Sequence, residues 1–216
     1  MAKGQLVIVL IFTCFVAMLS TNVLRDGDYA YQFLGHTGSI QKLSISDDGS
    51  RFASAGGDNT VRIWEPSTSA GAIRVLDAAW DVTTSPTCQG TTTLAMSHDG
   101  QQVAAGYFNG IVKLWNVETG TVLWSAQHGT EQLCLYCVAI PANKAFVVSA
   151  GLDKCVQIRD FTTGALVFTI AVDRFPISID LTPDDTAIVL GDSAGWISIW
   201  DRFTGARLVD WQTTVR

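Results

Sequence analysis

One short pattern recurs four times along this chain. It reads SRFASAGGDNTVRIWEP at 50–66, QQVAAGYFNGIVKLWNV at 101–117, KAFVVSAGLDKCVQIRDF at 144–161 and TAIVLGDSAGWISIWDR at 186–202. Each copy is a short apolar strand, a turn rich in Gly, Asp or Asn, and an alternating strand that closes on Trp64, Trp115, Arg159 or Trp200. The closing residues are 51, 44 and 41 positions apart. Self-similarity at such a period marks a repeat architecture, in which one unit buries its apolar face only against the next.

Each copy extends into a four-strand unit. The first predicts an inner strand through Ile40, Leu43 and Ile45 with a bulge near its start, a tight turn at Asp48-Gly49, strands at 51–55 and 60–64, and an outer strand at 73–76. The second predicts strands at 91–96, 103–105, 111–115 and 122–125, and the third at 133–140, 145–149, 155–159 and 166–170. The fourth predicts 177–181, 187–190, 196–200 and 207–211. Glu118-Thr119-Gly120, Thr162-Thr163-Gly164 and Phe203-Thr204-Gly205 make near-identical turns before the outer strands. No strong helix signal follows residue 24. The expected fold is all-β: about four propeller blades, near 36–76, 90–126, 133–171 and 176–212, filling 25–216.

Of 216 residues, 48% are hydrophobic, 16% are charged and seven are Trp, enough to build a core. A net charge of −6 argues against a general nucleic-acid binder, which needs a basic surface to displace counterions from phosphates. The five cysteines form no dense disulfide framework.

The first 24 residues stand apart from the repeats. Residues 6–19 form an uncharged apolar run after Lys3. A secretory signal peptide fits the length and the positive start, although no clean small-x-small cleavage site follows. A signal-anchor or transmembrane helix fits if the span extends to Leu24, through Ser20, Thr21 and Asn22. A buried strand or hairpin is the third reading. The first two predict an apolar helix, with the body membrane-anchored through 6–24 or exported to a secretory or periplasmic compartment.

From Gly35 to Trp211 the chain resembles the WD40-repeat family. The first unit carries the pattern most fully, in Gly35-His36, Ser54, Asp58 and Trp64-Glu65. The resemblance implies that His36, Ser54, Asp58 and Trp64 form one buried hydrogen-bond chain with a structural role. Buried Asp and His need partners in any case, since an unpaired one costs several kcal/mol. Trp115, Asp153 and Trp200 are the matching structural positions in later units. The second unit has no Gly-His and has Asn109 for Asp58. The third has His128 and Asp153 but Arg159 for the Trp. The fourth has Trp200-Asp201 but no His, and Ala194 at the turn.

The family usually carries about seven blades, and four are readable here, with 29–34 resembling the outer strand of another. Open sheet edges template further pairing. The expectation is association with another chain, as a dimer of eight blades or as completion of a different subunit. Abnormal closure and a truncated gene model are the alternatives. The resemblance places partner contacts before each inner strand and before each turn Asp. Those positions are Thr37, Ser39, Gly57, Phe108, Leu152 and Phe175.

Catalytic chemistry is hard to find. Cys134-x-x-Cys137 with His128 and Cys155 could be drawn as a zinc site, but residues three apart on a strand point to opposite faces. Ser97-His98-Asp99 holds three catalytic residue types in one turn, whereas a triad converges from separate elements. Asp47-Asp48 and Asp184-Asp185 occupy one repeat position and read as solvated turns. No phosphate-cradling glycine loop appears, and no metal or cofactor is expected. The leading function is a non-catalytic scaffold for protein partners, membrane-tethered or exported. A structural subunit of a larger membrane-associated complex and an exported propeller enzyme are the alternatives.

Overall fold

The structure is a computed structural model that describes residues 33–67, 72–77, 90–129 and 133–213. The expected N-terminal apolar helix lies outside the described residues. Among those described, no helix is long and apolar enough to cross a membrane.

The described chain forms four antiparallel sheets of four strands, each in simple sequence order. The first holds β1 (Ile40–Ile45), β2 (Phe52–Gly56), β3 (Thr60–Trp64) and β4 (Arg74–Asp77). The second holds β5 (Thr91–Met96), β6 (Gln102–Tyr107), β7 (Ile111–Asn116) and β8 (Val122–Gln127). The third holds β9 (Leu135–Ala139), β10 (Phe146–Gly151), β11 (Cys155–Asp160) and β12 (Leu166–Ala171). The fourth holds β13 (Pro176–Leu181), β14 (Ala187–Asp192), β15 (Trp196–Asp201) and β16 (Arg207–Gln212). The expected strands are present, most displaced by a residue or so. The 29–34 expectation fails for Phe33 and Leu34, which lie in no strand, and its remainder falls outside the described residues.

The bulge expected in the first inner strand recurs in every sheet. Register shifts between Ile40 and Lys42, between Thr91 and Thr93, opposite Ala150–Gly151, and between Pro176 and Ser178. A bulge adds local twist. Tight turns follow the same rule of position. Gly49 and Gly100 take the left-handed backbone between the first two strands, and Lys144 and Asp185 adopt it at the same place in the other sheets.

Each blade has two faces with different fates. Val61 and Ile63 of β3, with Ala53 and Ala55 of β2, pack against Val103, Ala105, Tyr107 and Trp115 of the second sheet. Val112 and Leu114 meet Leu135, Val138 and Val147 of the third. Val156, Ile158 and Val148 meet Ile188, Leu190 and Trp200 of the fourth. A fully buried aliphatic side chain contributes roughly 1.5–3 kcal/mol. A seam of several therefore outweighs any single hydrogen bond, which nets about 1 kcal/mol. These seams hold the blades side by side, with β1, β5, β9 and β13 as successive neighbours on the inner side.

Candidate functional site

One end of the blades is built identically four times. The residue just after the second strand donates its amide to the carbonyl just before the first. The pairs are Gly57 to Ser39 (2.7 Å), Phe108 to Gly90 (3.3 Å), Leu152 to Cys134 (3.0 Å) and Ser193 to Phe175 (3.3 Å). Thr37, Ser39, Gly57, Phe108, Leu152 and Phe175 therefore share one rim. Thr37, Ser39 and Gly57 are exposed, and Phe108 and Leu152 are half-buried. Phe175 is 39% exposed, with Lys154 Nζ 4.8 Å from its ring centre. Gly90, at positive φ, lies against the Phe108 ring, so the first two blades meet at the rim beside Gly57.

Beneath the rim, the first blade is pinned by a continuous polar chain. Trp64 Nε1 donates to Ser54 Oγ (2.8 Å), and Ser54 Oγ lies 2.7 Å from His36 Nε2. His36 Nδ1 reaches Asp58 Oδ1 at 2.9 Å. The directions close if Ser54 donates to Nε2 and Nδ1–H donates to the carboxylate. Thr60 Oγ1 (2.8 Å) and the Thr37 amide (2.9 Å) also donate to Asp58. A Cβ on Gly56 would collide with His36 Nδ1 and Asp58 Oδ1, so the ring needs glycine there.

Burial alone would raise the Asp58 carboxyl, but the Thr37 amide, His36 and Thr60 outweigh it and bring it down to about 2. A carboxylate with a folded-state pKa below its unfolded value stabilises the fold above the unfolded value. That contribution is lost as pH falls from 3.8 towards about 2. Urea melts across this window should show falling stability. Asp58→Asn should be less stable than wild type at pH 7 and show a shallower fall in acid. Parallel curves for the two proteins would refute this role.

The other blades reach the same end by different chemistry. In the second, Tyr107 occupies the register position of Gly56. Its buried ring sits edge-on to Trp115 at 6.3 Å. Burial pushes the Tyr107 phenol well above its ordinary range. In the third blade, His128 bonds Ser149 Oγ through Nδ1 (2.8 Å), and its Nε2 lies 3.2 Å from Asp153 Oδ2. Arg159 replaces the tryptophan and donates to Gln157 Oε1 (2.8 Å), Gln127 O (2.6 Å) and Gly164 O (3.1 Å). In the fourth, Asp192 stands at the Gly56 position and accepts the Ala194 amide (2.8 Å), the Trp196 amide (3.1 Å) and Arg174 Nε (2.5 Å). Arg174 also lies 4.3 Å over the Trp196 ring. With Leu190 in the place of Ser54, Trp200 Nε1 turns to Ser198 Oγ at 2.8 Å.

Tyr107, Arg174 and Asp192 escape sequence reasoning as pins. For Tyr107 and Asp192 the available signal is a glycine displaced by one position, Gly106 and Gly191 against Gly56 and Gly151.

The residue sets with a look of chemistry are occupied structurally. Cys134 Sγ faces Leu135 O and Cys137 Sγ faces Ala150 O. Burial pushes the Cys137 thiol up to about 12, which keeps it protonated and poor at binding metal or attacking an electrophile. No cluster of three His, Cys, Asp or Glu with metal-holding geometry occurs among the described residues. Ser97 Oγ donates to Asp99 Oδ1 (2.7 Å) within its turn, while His98 reaches Asp47 of the neighbouring blade at 2.7 Å. Ser46 with Asp48 (2.7 Å) and Thr182 with Asp184 (2.6 Å) repeat the Ser97–Asp99 turn.

The sequence profile described as WD domain, G-beta repeat matches residues 27–65, 80–116 and 122–160, together just over half of the chain. The chain belongs to the WD40-repeat family. Each matched segment ends one residue past Trp64, Trp115 or Arg159, where the third strand of a blade closes. Among curated relatives, the chain is 27% identical over 162 residues to the Periodic tryptophan protein 2 homolog of Schizosaccharomyces pombe, covering 67% of this chain and 18% of that protein. It is 25% identical over 171 residues to WD repeat-containing protein SL1-17 of Schistosoma mansoni, covering 79% of this chain and 53% of that one. It is 21% identical over 173 residues to Autophagy-related protein 16 of Arabidopsis thaliana, covering 80% and 32%. The chain thus spans about a fifth of the first of these relatives and about a third of the last.

Proposed function

We propose that this WD40-repeat chain is a non-catalytic module that binds other proteins through the rim. One observation carries the reading: among the described residues, the Cys, His, Ser and Asp sets that resemble chemical sites are engaged in turns, strands or blade pins, while apolar Phe108, Leu152 and Phe175 line the rim. Rigid blades hold these residues in fixed positions, which lowers the entropic cost of binding. Large apolar groups at interface centres contribute most of the binding energy in known complexes. The partners are proteins, including a second chain that adds blades to this one.

The test is a triple variant, Phe108→Ser with Leu152→Ser and Phe175→Ser, expressed in the native host beside wild type. Its melting temperature should stay within a few degrees, because these groups are partly exposed. Quantitative affinity purification should show specific partners depleted about tenfold or more, as expected for losing hot-spot contacts. Unchanged partner recovery from a folded variant would end the reading.

The uncharged run at 6–19 supports a second element, a module held at a membrane or exported across it. Such a chain would be a subunit of a membrane-associated complex. Carbonate extraction discriminates: a spanning segment stays with the membrane pellet, and release to the supernatant removes the tether.

A further inference from the structure

The bulge in each inner strand falls beside the rim. The residue that the register skips is Gln41 in β1, Thr92 in β5, Tyr136 in β9 and Ile177 in β13. Each lies two positions after the residue whose carbonyl ties the rim, namely Ser39, Gly90, Cys134 or Phe175. A bulge re-aims the side chain it carries. Gln41 and Tyr136 stay exposed although a further blade follows each, so the position opens to solvent and not into a junction.

The chemistry of this position divides the rim. In the first two blades it is polar and tied down: Gln41 Nε2 donates to Ser39 Oγ (2.9 Å) and Thr92 Oγ1 to Gly106 O (3.0 Å). In the third and fourth it is apolar, with Tyr136 39% and Ile177 50% exposed. Lys154 of the third blade lies over the Phe175 ring of the fourth, which joins the two blades at the rim. Its neighbours there are neutralised. Asp153 faces His128 at 3.2 Å, Asp173 faces Arg207 at 2.9 Å, and Arg174 is held by Asp192 (2.5 Å) and Asp210 (2.6 Å). Lys154 is exposed and has no acidic side chain within ion-pair distance among the described residues.

We propose that Tyr136, Leu152, Phe175 and Ile177, with Lys154 among them, select a partner segment in which a large apolar residue stands one or two positions from an Asp or Glu. The proposal rests on the reading of the rim as a protein-binding surface and names the chemistry that the surface reads. The Lys154 ammonium is 4.8 Å from the Phe175 ring centre. An apolar side chain packed on that ring therefore brings a carboxylate one or two residues away, at about 3.8 Å per residue, within reach of the ammonium. A single ammonium matches a single carboxylate. Phosphorylated segments are bound by arginine clusters, and Arg174 is already committed to two aspartates.

The test pans a random-peptide phage library on the immobilised full chain and measures the enriched peptides, made synthetically, by fluorescence anisotropy. Enriched sequences should carry Asp or Glu within two positions of a large apolar residue. Tyr136→Ser with Ile177→Ser should weaken their binding about tenfold or more. Lys154→Met should weaken it about fivefold, yet leave unchanged the affinity for a peptide in which the acid is replaced by its amide, because the two charges act as a pair. Circular dichroism confirms that each variant is folded. Enrichment of basic or uncharged sequences, an equal loss for the acid and amide peptides, or no enrichment by the folded chain would overturn the proposal. The triple rim variant separates the two readings. If it depletes native partners while Lys154→Met leaves the acid-bearing peptides unaffected, the rim binds proteins without selecting acid and only this proposal falls. If the triple variant recovers every partner, both fall.

Discussion

Trp64→Ala is expected to destabilise the protein by about 4 kcal/mol, in the range for emptying a buried aromatic site. The indole is 1% exposed and packs against Phe33 and Phe52. Its removal leaves a cavity, and it also takes the donor from Ser54 Oγ at the end of the Asp58–His36–Ser54 chain. In a domain of this size the melting temperature should drop by roughly 10 °C. Two companions separate the terms. Trp64→Phe keeps a ring but loses the Nε1–H bond, and should cost less than alanine, with about 1 kcal/mol from the bond itself. Trp211→Ala removes the same side chain from an exposed position in β16 and should cost little. Urea melts followed by circular dichroism measure all three. Equal losses for Trp64→Ala and Trp211→Ala would mean that the first blade is not held through its tryptophan.

The strands were legible in the sequence because their physics is local. Alternation in β3, β7 and β15 and the turn glycines need only neighbouring residues to be read. The bulge near the start of β1 was legible for the same reason. The blade pins were less so. Spacing reveals His36, Ser54, Asp58 and Trp64 because one unit carries all four residue types. In the second blade the role passes to Tyr107, which reads as an ordinary strand residue. Its role rests on its burial against Trp115, a contact that exists only in three dimensions. Arg174 and Asp192 are 18 positions apart, and Arg174 sits before its blade begins. No periodic pattern joins them. The sequence-level assignment of Phe108, Leu152 and Phe175 to one rim rests on the repeat and is matched by the recurring amide-to-carbonyl bond.

The pins also explain how the units drift apart in sequence while the sheets stay alike. The seams between blades are apolar and tolerant: alanine, valine, isoleucine and leucine exchange across them with little change of shape. A polar pin is unforgiving, because removing one partner leaves another buried group unpaired. Substitution at a pin therefore survives when the whole set changes together, as with Arg174, Asp192 and Trp196 in the fourth blade.

Arg159 provides the sharpest test of that rule. It stands where the other blades have tryptophan, is buried, and satisfies Gln157, Gln127 and Gly164 with three hydrogen bonds. Burial lowers its pKa from the ordinary guanidinium value. Arg159→Ala should cost about 3 kcal/mol, since hydrogen bonds from a charged donor disappear together and buried acceptors lose their partner. Arg159→Lys keeps the charge but replaces a planar fork with a single ammonium, which cannot span two carbonyls and an amide oxygen in fixed directions. It should recover less than half of that loss. Arg159→Trp restores the residue found in the other blades, and Ser149 keeps a lone pair for an indole N–H as Ser54 does for Trp64, yet the carbonyls of Gln127 and Gly164 would lose their donor. It should therefore be no more stable than the lysine variant. Equilibrium urea melts of the three proteins at neutral pH rank them directly. A tryptophan variant as stable as wild type would show that the blade needs bulk at this position and not the arginine's hydrogen bonds.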